Sequence, residues 1–102
     1  SVTIPEGVTS IGGLAFNHCT SLTSVTLPDS VTTLEGNVFE SCYSLKSVTI
    51  PANLTSIGYN AFRECNSLTD VYCRGSESQW RALRFPSGNS KLTRAAIHYN
   101  SR

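Results

Sequence analysis

Apolar residues along this chain recur at one fixed spacing. Leu22, Val25 and Leu27 are followed 23 residues later by Leu45, Val48 and Ile50, and then by Leu68, Val71 and Cys73. Within each set the last three positions alternate between apolar and polar, as a short half-buried strand requires. Proline at positions 28 and 51 closes each strand, because it has no N–H to give to a ladder. A second extended piece is predicted around residues 31–34 and 54–57, which are rich in threonine and β-branched side chains. A glycine corner follows (Gly12, Gly13, Gly36, Gly58), and then Ala15-Phe16, Val38-Phe39 and Ala61-Phe62. Those pairs are expected on a single helical or 3₁₀ turn that ends near the next cysteine.

Residues 2–24, 25–47 and 48–70 can be laid over one another as three repeats, with a partial fourth over 71–75. Eight columns are then identical in all three rows: Val2/Val25/Val48, Thr3/Thr26/Thr49, Pro5/Pro28/Pro51, Thr9/Thr32/Thr55, Phe16/Phe39/Phe62, Cys19/Cys42/Cys65, Ser21/Ser44/Ser67 and Leu22/Leu45/Leu68. A period of this length marks a solenoid, in which no unit can bury its apolar face alone and like residues stack on like. The fold class expected is a β-rich repeat solenoid with a parallel β ladder, forming one domain over 1–102. Such a body presents a long ordered surface instead of a deep pocket, which argues for binding over catalysis.

After Gly75 the period breaks. Ser76-Glu77-Ser78-Gln79 reads as a capping box that opens a helix over 77–84. That helix would turn Trp80, Leu83 and Ala82 toward the solenoid. Phe85-Pro86 ends it and Ser87-Gly88-Asn89 makes a turn. A last strand over 95–99 aligns Ile97, His98 and Tyr99 with Val71, Tyr72 and Cys73. This helix and strand form the expected cap, since an open solenoid end exposes core and unpaired strand edge. Ser1 falls in the column of Ser24 and Ser47 with no preceding leucine, so the natural protein is expected to continue upstream. Uncovered, Val2, Ile4 and Val8 should promote self-association through the first strand.

Net charge, +1, says little, but its distribution is uneven: residues 1–51 sum to −3 and residues 52–102 to +4. The basic half could attract an anionic partner, but scattered solvated arginines account for it more simply, and no nucleic-acid partner is implied. No segment is long or apolar enough to span a membrane.

Candidate chemistry is sparse. Cysteines one repeat apart run along a line, whereas metal ligands must converge on a point. Their parallel Cβ vectors stay about 5 Å apart, wider than a disulfide allows. Buried free thiols packed as small apolar groups are therefore expected, at Cys73 as well. His18 beside Cys19 is a surface histidine, since its column holds Ser41 and Glu64. The triplet Asn53-Leu54-Thr55 matches a glycosylation sequon that is common by chance. No phosphate loop, paired-carboxylate or nucleophile pattern is present, so no enzyme, metal or cofactor is expected.

What remains is the outward row of the strands. Ser24/Thr26 and Ser47/Thr49 make a hydroxyl ribbon, which changes character at Asp70, Tyr72 and His98. An acid and two rings on an exposed sheet could be a contact patch, or could simply cover the sheet near its end. Thr26, Thr49, Asp70, Tyr72 and His98 are the candidate protein-binding residues.

The signature I-P-x-x-[VL]-T-x-[IL]-x-x-x-x-F-x-x-C-x-S-L over residues 2–73 resembles the BspA-like class of leucine-rich repeats, found in surface proteins of bacteria and some protozoa. The Asn or Cys of the general superfamily pattern falls on Ser30 and Asn53, and the cysteine sits after the phenylalanine, as in that class. The closing G-S-E-S-Q-W and A-I-H-Y-N segments are similar to the end of such domains. The resemblance implies a right-handed superhelix and a non-catalytic adhesion module at the cell surface or secreted. Its partners would be host, matrix or bacterial surface proteins. A spacer presenting another domain is the alternative role.

Overall fold

A computed structural model describes residues 2–13 and 15–100, with only the backbone described for Val2 and Thr3. Each repeat contributes two short strands. The first set is β1 (Val2–Thr3), β3 (Ser24–Thr26), β5 (Ser47–Ile50) and β7 (Asp70–Cys73), and the second is β2 (Ser10–Ile11), β4 (Thr33–Leu34) and β6 (Ser56–Ile57). They form two parallel sheets, in the orders β1-β3-β5-β7-β8 and β2-β4-β6, where β8 is Ala96–His98. Register is one repeat throughout: Val25 lies beside Val48 and Val48 beside Val71, while Thr33 lies beside Ser56.

Alternation along the strands sends Val25, Val48 and Val71 into a core shared with Leu27, Ile50, Leu45 and, from the second sheet, Leu34 and Ile57. The phenylalanine column stacks through that core, with Phe39 lying 5.3 Å from Phe16 and 5.1 Å from Phe62 between ring centroids. Cys42, Cys65 and Cys73 are buried free thiols, and Cys19 is half-buried. The thiols are more than filler, because Cys42 and Cys65 each donate S–H to the carbonyl of Phe16 or Phe39 in the preceding repeat, at 3.1 Å.

The side of each coil that carries the phenylalanine departs from the expected helical or 3₁₀ turn. Linked turns occupy it instead. The reason lies in where the N–H groups go. Phe39 and Ser41 give theirs to the carbonyls of Ala61 and Arg63 in the next coil, and Asn37 gives its own to Tyr59. A helical turn would direct these donors along its own chain. Asn37, Asn60, Ser41 and Glu64 take positive φ (64°, 59°, 64° and 65°) to keep the chain turning, and asparagine tolerates that region best.

Beyond β7 the expected capping box is present: Gln79 N–H donates to Ser76 Oγ at 3.2 Å, and Ser76 N–H to Gln79 Oε1 at 2.7 Å. The helix it opens, α1 (Glu77–Ala82), stops two residues short of the expected Arg84 because Leu83 turns extended. Trp80 is buried and Leu83 packs against the core, but Ala82 is exposed rather than facing it. A second short helix, α2 (Ser90–Thr93), was not foreseen; it buries Leu92 completely. The last strand covers Ala96–His98, and its register is the expected one, Val71 beside Ile97 and Tyr72 beside His98. At the opposite end Ile4 is buried and Val8 half-buried. The Val2 side chain, on which the expected self-association partly rests, lies outside the described residues.

Candidate interaction face

The five-stranded sheet turns its polar alternates outward. Register lines up Thr26, Thr49, Tyr72 and His98 as one row across β3, β5, β7 and β8, with Ser24, Ser47, Asp70 and Ala96 as the row beside it. Four of the five expected residues thus share a row, and Asp70 sits diagonally to His98. Thr26 and Thr49 are half-buried.

At the β7–β8 end the row carries chemistry. The Tyr72 and His98 rings stack at 4.8 Å with an interplanar angle of 17°. His98 Nε2 meets Asp70 Oδ1 at 2.9 Å, and Thr69 Oγ1 donates to Asp70 Oδ2 at 2.9 Å. The hydrogen bond from His98, then that from Thr69, holds the Asp70 carboxyl below the usual carboxylate range. Tyr72 remains 38% exposed. The arrangement pre-orients one aromatic face and one anion on a rigid sheet, which suits recognition. A His–Asp pair alone offers no nucleophile, and the sequence's other histidine, His18, is engaged by Asn17 Oδ1 on a distant turn.

Repeat periodicity did not reveal three further residues. Tyr59, 67% exposed, and Tyr43, 42% exposed, stand out on the surface. Tyr59 could have been noticed, because its column holds Gly13 and Gly36 in the other repeats. Asn89, only 2% exposed, is the third. Its Oδ1 accepts the Phe62 N–H at 3.2 Å, and its Nδ2 donates to the Gly58 and Pro86 carbonyls at 3.0 and 3.1 Å. With the Ser87 carbonyl, which accepts the Asn60 N–H at 2.9 Å, it supplies two of the three acceptors that a further coil would have brought.

Among the described residues no helix is long and apolar enough to cross a membrane. A family model described as BspA type Leucine rich repeat region (6 copies) matches residues 1–101. No curated protein and no solved structure matches.

Proposed function

This chain belongs to the BspA-type leucine-rich repeat family, and on that premise we propose that it is a non-catalytic adhesion module of a bacterial cell-surface or secreted protein. The family's members generally serve as protein-interaction modules at surfaces and are typically non-catalytic. In this reading the chain is one repeat domain, with the cap expected over 76–102, and it grips a host, matrix or bacterial surface protein. Contact is made through the outer row of the five-stranded sheet, where Thr26 and Thr49 form the rim and Asp70, Tyr72 and His98 the anchor.

One observation carries this reading: an exposed tyrosine stacked on a histidine and flanked by a carboxylate, where the same columns in the preceding repeats hold only serine and threonine. Aromatic anchors at rigid positions supply most of the energy of typical interfaces. The test is affinity for a partner captured by pull-down, measured with Tyr72→Ala and His98→Ala proteins. A loss of about tenfold or more is expected for Tyr72→Ala. Unchanged affinity in both variants moves contact off this face, and the hydroxyl ribbon then fits the spacer role better.

A further inference from the structure

The two sheets finish differently beyond the third repeat. The five-stranded sheet is continued by β8, and on the turn side of the third coil Ser87 and Asn89 accept the N–H groups of Asn60 and Phe62. The three-stranded sheet simply stops at β6. Ser56 donates its N–H back to the Thr32 carbonyl at 3.3 Å, and Gly58 to that of Leu34 at 2.8 Å. Strand alternation therefore turns the Thr55 carbonyl and both backbone groups of Ile57 the other way. No described residue bonds to these three groups.

They open into a groove of about 490 Å³ whose far wall is Ala82, Arg84, Phe85 and Pro86. A second recess of about 280 Å³, reaching to Leu54 and Gln79, shares Thr55 and Ala82 with it and prolongs the groove along the strand. Two side chains make the groove more than a gap. Tyr59 stands at its edge in the column of Gly13 and Gly36. In those repeats a Cβ would lie 2.8 Å from the Gly36 carbonyl oxygen or 3.0 Å from that of Tyr59, so the next coil crowds a side chain at either position. The third coil has no such neighbour, and the position is filled by the most exposed large apolar side chain among the described residues. Arg84 is the one charged residue lining the groove, and it forms no ion pair with any described residue.

We infer that this groove is a strand-addition site that takes an extended peptide bearing an acidic side chain. The peptide pairs its backbone with Thr55 and Ile57 as the next strand of the three-stranded sheet. Its alternate side chains fall toward the apolar wall between Tyr59 and Phe85, and a carboxylate reaches Arg84. Main-chain hydrogen bonds supply affinity in this mode and the side-chain pockets supply choice. The site lies on the other sheet from Tyr72 and His98, so it stands or falls independently of the reading above.

The test uses a fluorescein-labelled peptide of alternating aspartate and valine, together with the same peptide carrying lysine for aspartate and a version with proline at its central residues. Anisotropy measures affinity, and amide chemical shifts and hydrogen exchange locate the site. The acidic peptide is expected to bind, to shift residues 55–59 and 84–86, and to slow exchange at the Ile57 amide. Arg84→Glu should weaken it about tenfold and reverse the preference toward the lysine peptide. Tyr59→Ser should weaken it as well, proline should abolish binding, and Tyr72→Ala should change nothing. Arg84 and Tyr59 are exposed, so melting curves of both variants should match the parent. The inference is overturned by absence of binding up to about 1 mM, by equal affinity for acidic and basic peptides, or by shifts confined to the five-stranded sheet. Protection of Ile57 without peptide that rises with protein concentration would also overturn it, since the occupant would then be a second copy.

Discussion

Replacing Phe39 by alanine tests whether the phenylalanine stack is the spine of the solenoid. The ring is fully buried and is sandwiched 5.3 Å from Phe16 and 5.1 Å from Phe62. Truncating a core phenylalanine costs about 3–5 kcal/mol. Each stacked neighbour is worth about 0.5–1.5 kcal/mol beyond area, which places this site at the top of that range. A chain of this length has about 5–15 kcal/mol in total, so Phe39→Ala should sit near the limit of folding. Phe16 is only half-buried and has one such neighbour, so Phe16→Ala should cost about half as much. Phe39→Leu keeps apolar contact but loses the stacking, for about 1–2 kcal/mol. Urea unfolding followed by circular dichroism, and separately by the fluorescence of the single tryptophan, Trp80, measures all three. If the two probes diverge, the coils no longer unfold as one unit. The reasoning fails if Phe39→Ala lies within about 1 kcal/mol of the parent, or if Phe16→Ala is the costlier change.

Three further outcomes are expected. In native protein at about pH 8, a thiol reagent should label Cys19 quickly and Cys42, Cys65 and Cys73 only as fast as the chain opens, with all four reacting promptly in denaturant; rapid labelling of Cys65 would contradict its burial. Burial pushes the Cys65 thiol from 9.0 up to about 12 and raises those of Cys42 and Cys73. A raised folded value means that stability is intact below about pH 9 and declines as pH climbs toward 12, because the unfolded chain ionises first; urea midpoints compared at about pH 8 and pH 10.5 check the sign. Asn89→Ala should cost about 2–4 kcal/mol, since it strands the Phe62 N–H and removes two donors; a urea midpoint equal to the parent's would show that water replaces the side chain.

Most of the ladder was legible in the chain because a strict period leaves no freedom in register. Once Val25, Val48 and Val71 are aligned, the inward and outward residues follow. The pairing of Tyr72 with His98 lies beyond the period and follows from the alternation of residues 95–99 set against Val71, Tyr72 and Cys73. The capping box was legible too, being a local pattern. The turns were not. Whether Phe39 and Ser41 send their N–H groups along the chain or across to the next coil depends on the neighbouring coil, which propensity does not describe. Asparagine at 37 and 60, two residues ahead of Phe39 and Phe62, was the available hint of a left-handed turn. Asn89 was hidden for a different reason. Read alone, Ser87-Gly88-Asn89 is a turn, and its side-chain role exists only because the third coil leaves donors unanswered. The thiol bonds to Phe16 and Phe39 were equally invisible, since spacing reveals burial but not the carbonyl that lies beside it.

Among the described residues, hydrogen bonds attach residues 85–100 to the body at residues 58–75, through Gly58, Asn60, Phe62, Thr69, Asp70, Gly75 and the strand β7. This segment thus takes its bearings from the third coil and the strand that follows it. Whole 23-residue units could be duplicated or deleted upstream without retuning this end, with stability changing by increments as in other one-dimensional arrays. Reach becomes a quantity adjustable by simple copying, for a genome or for a protein engineer.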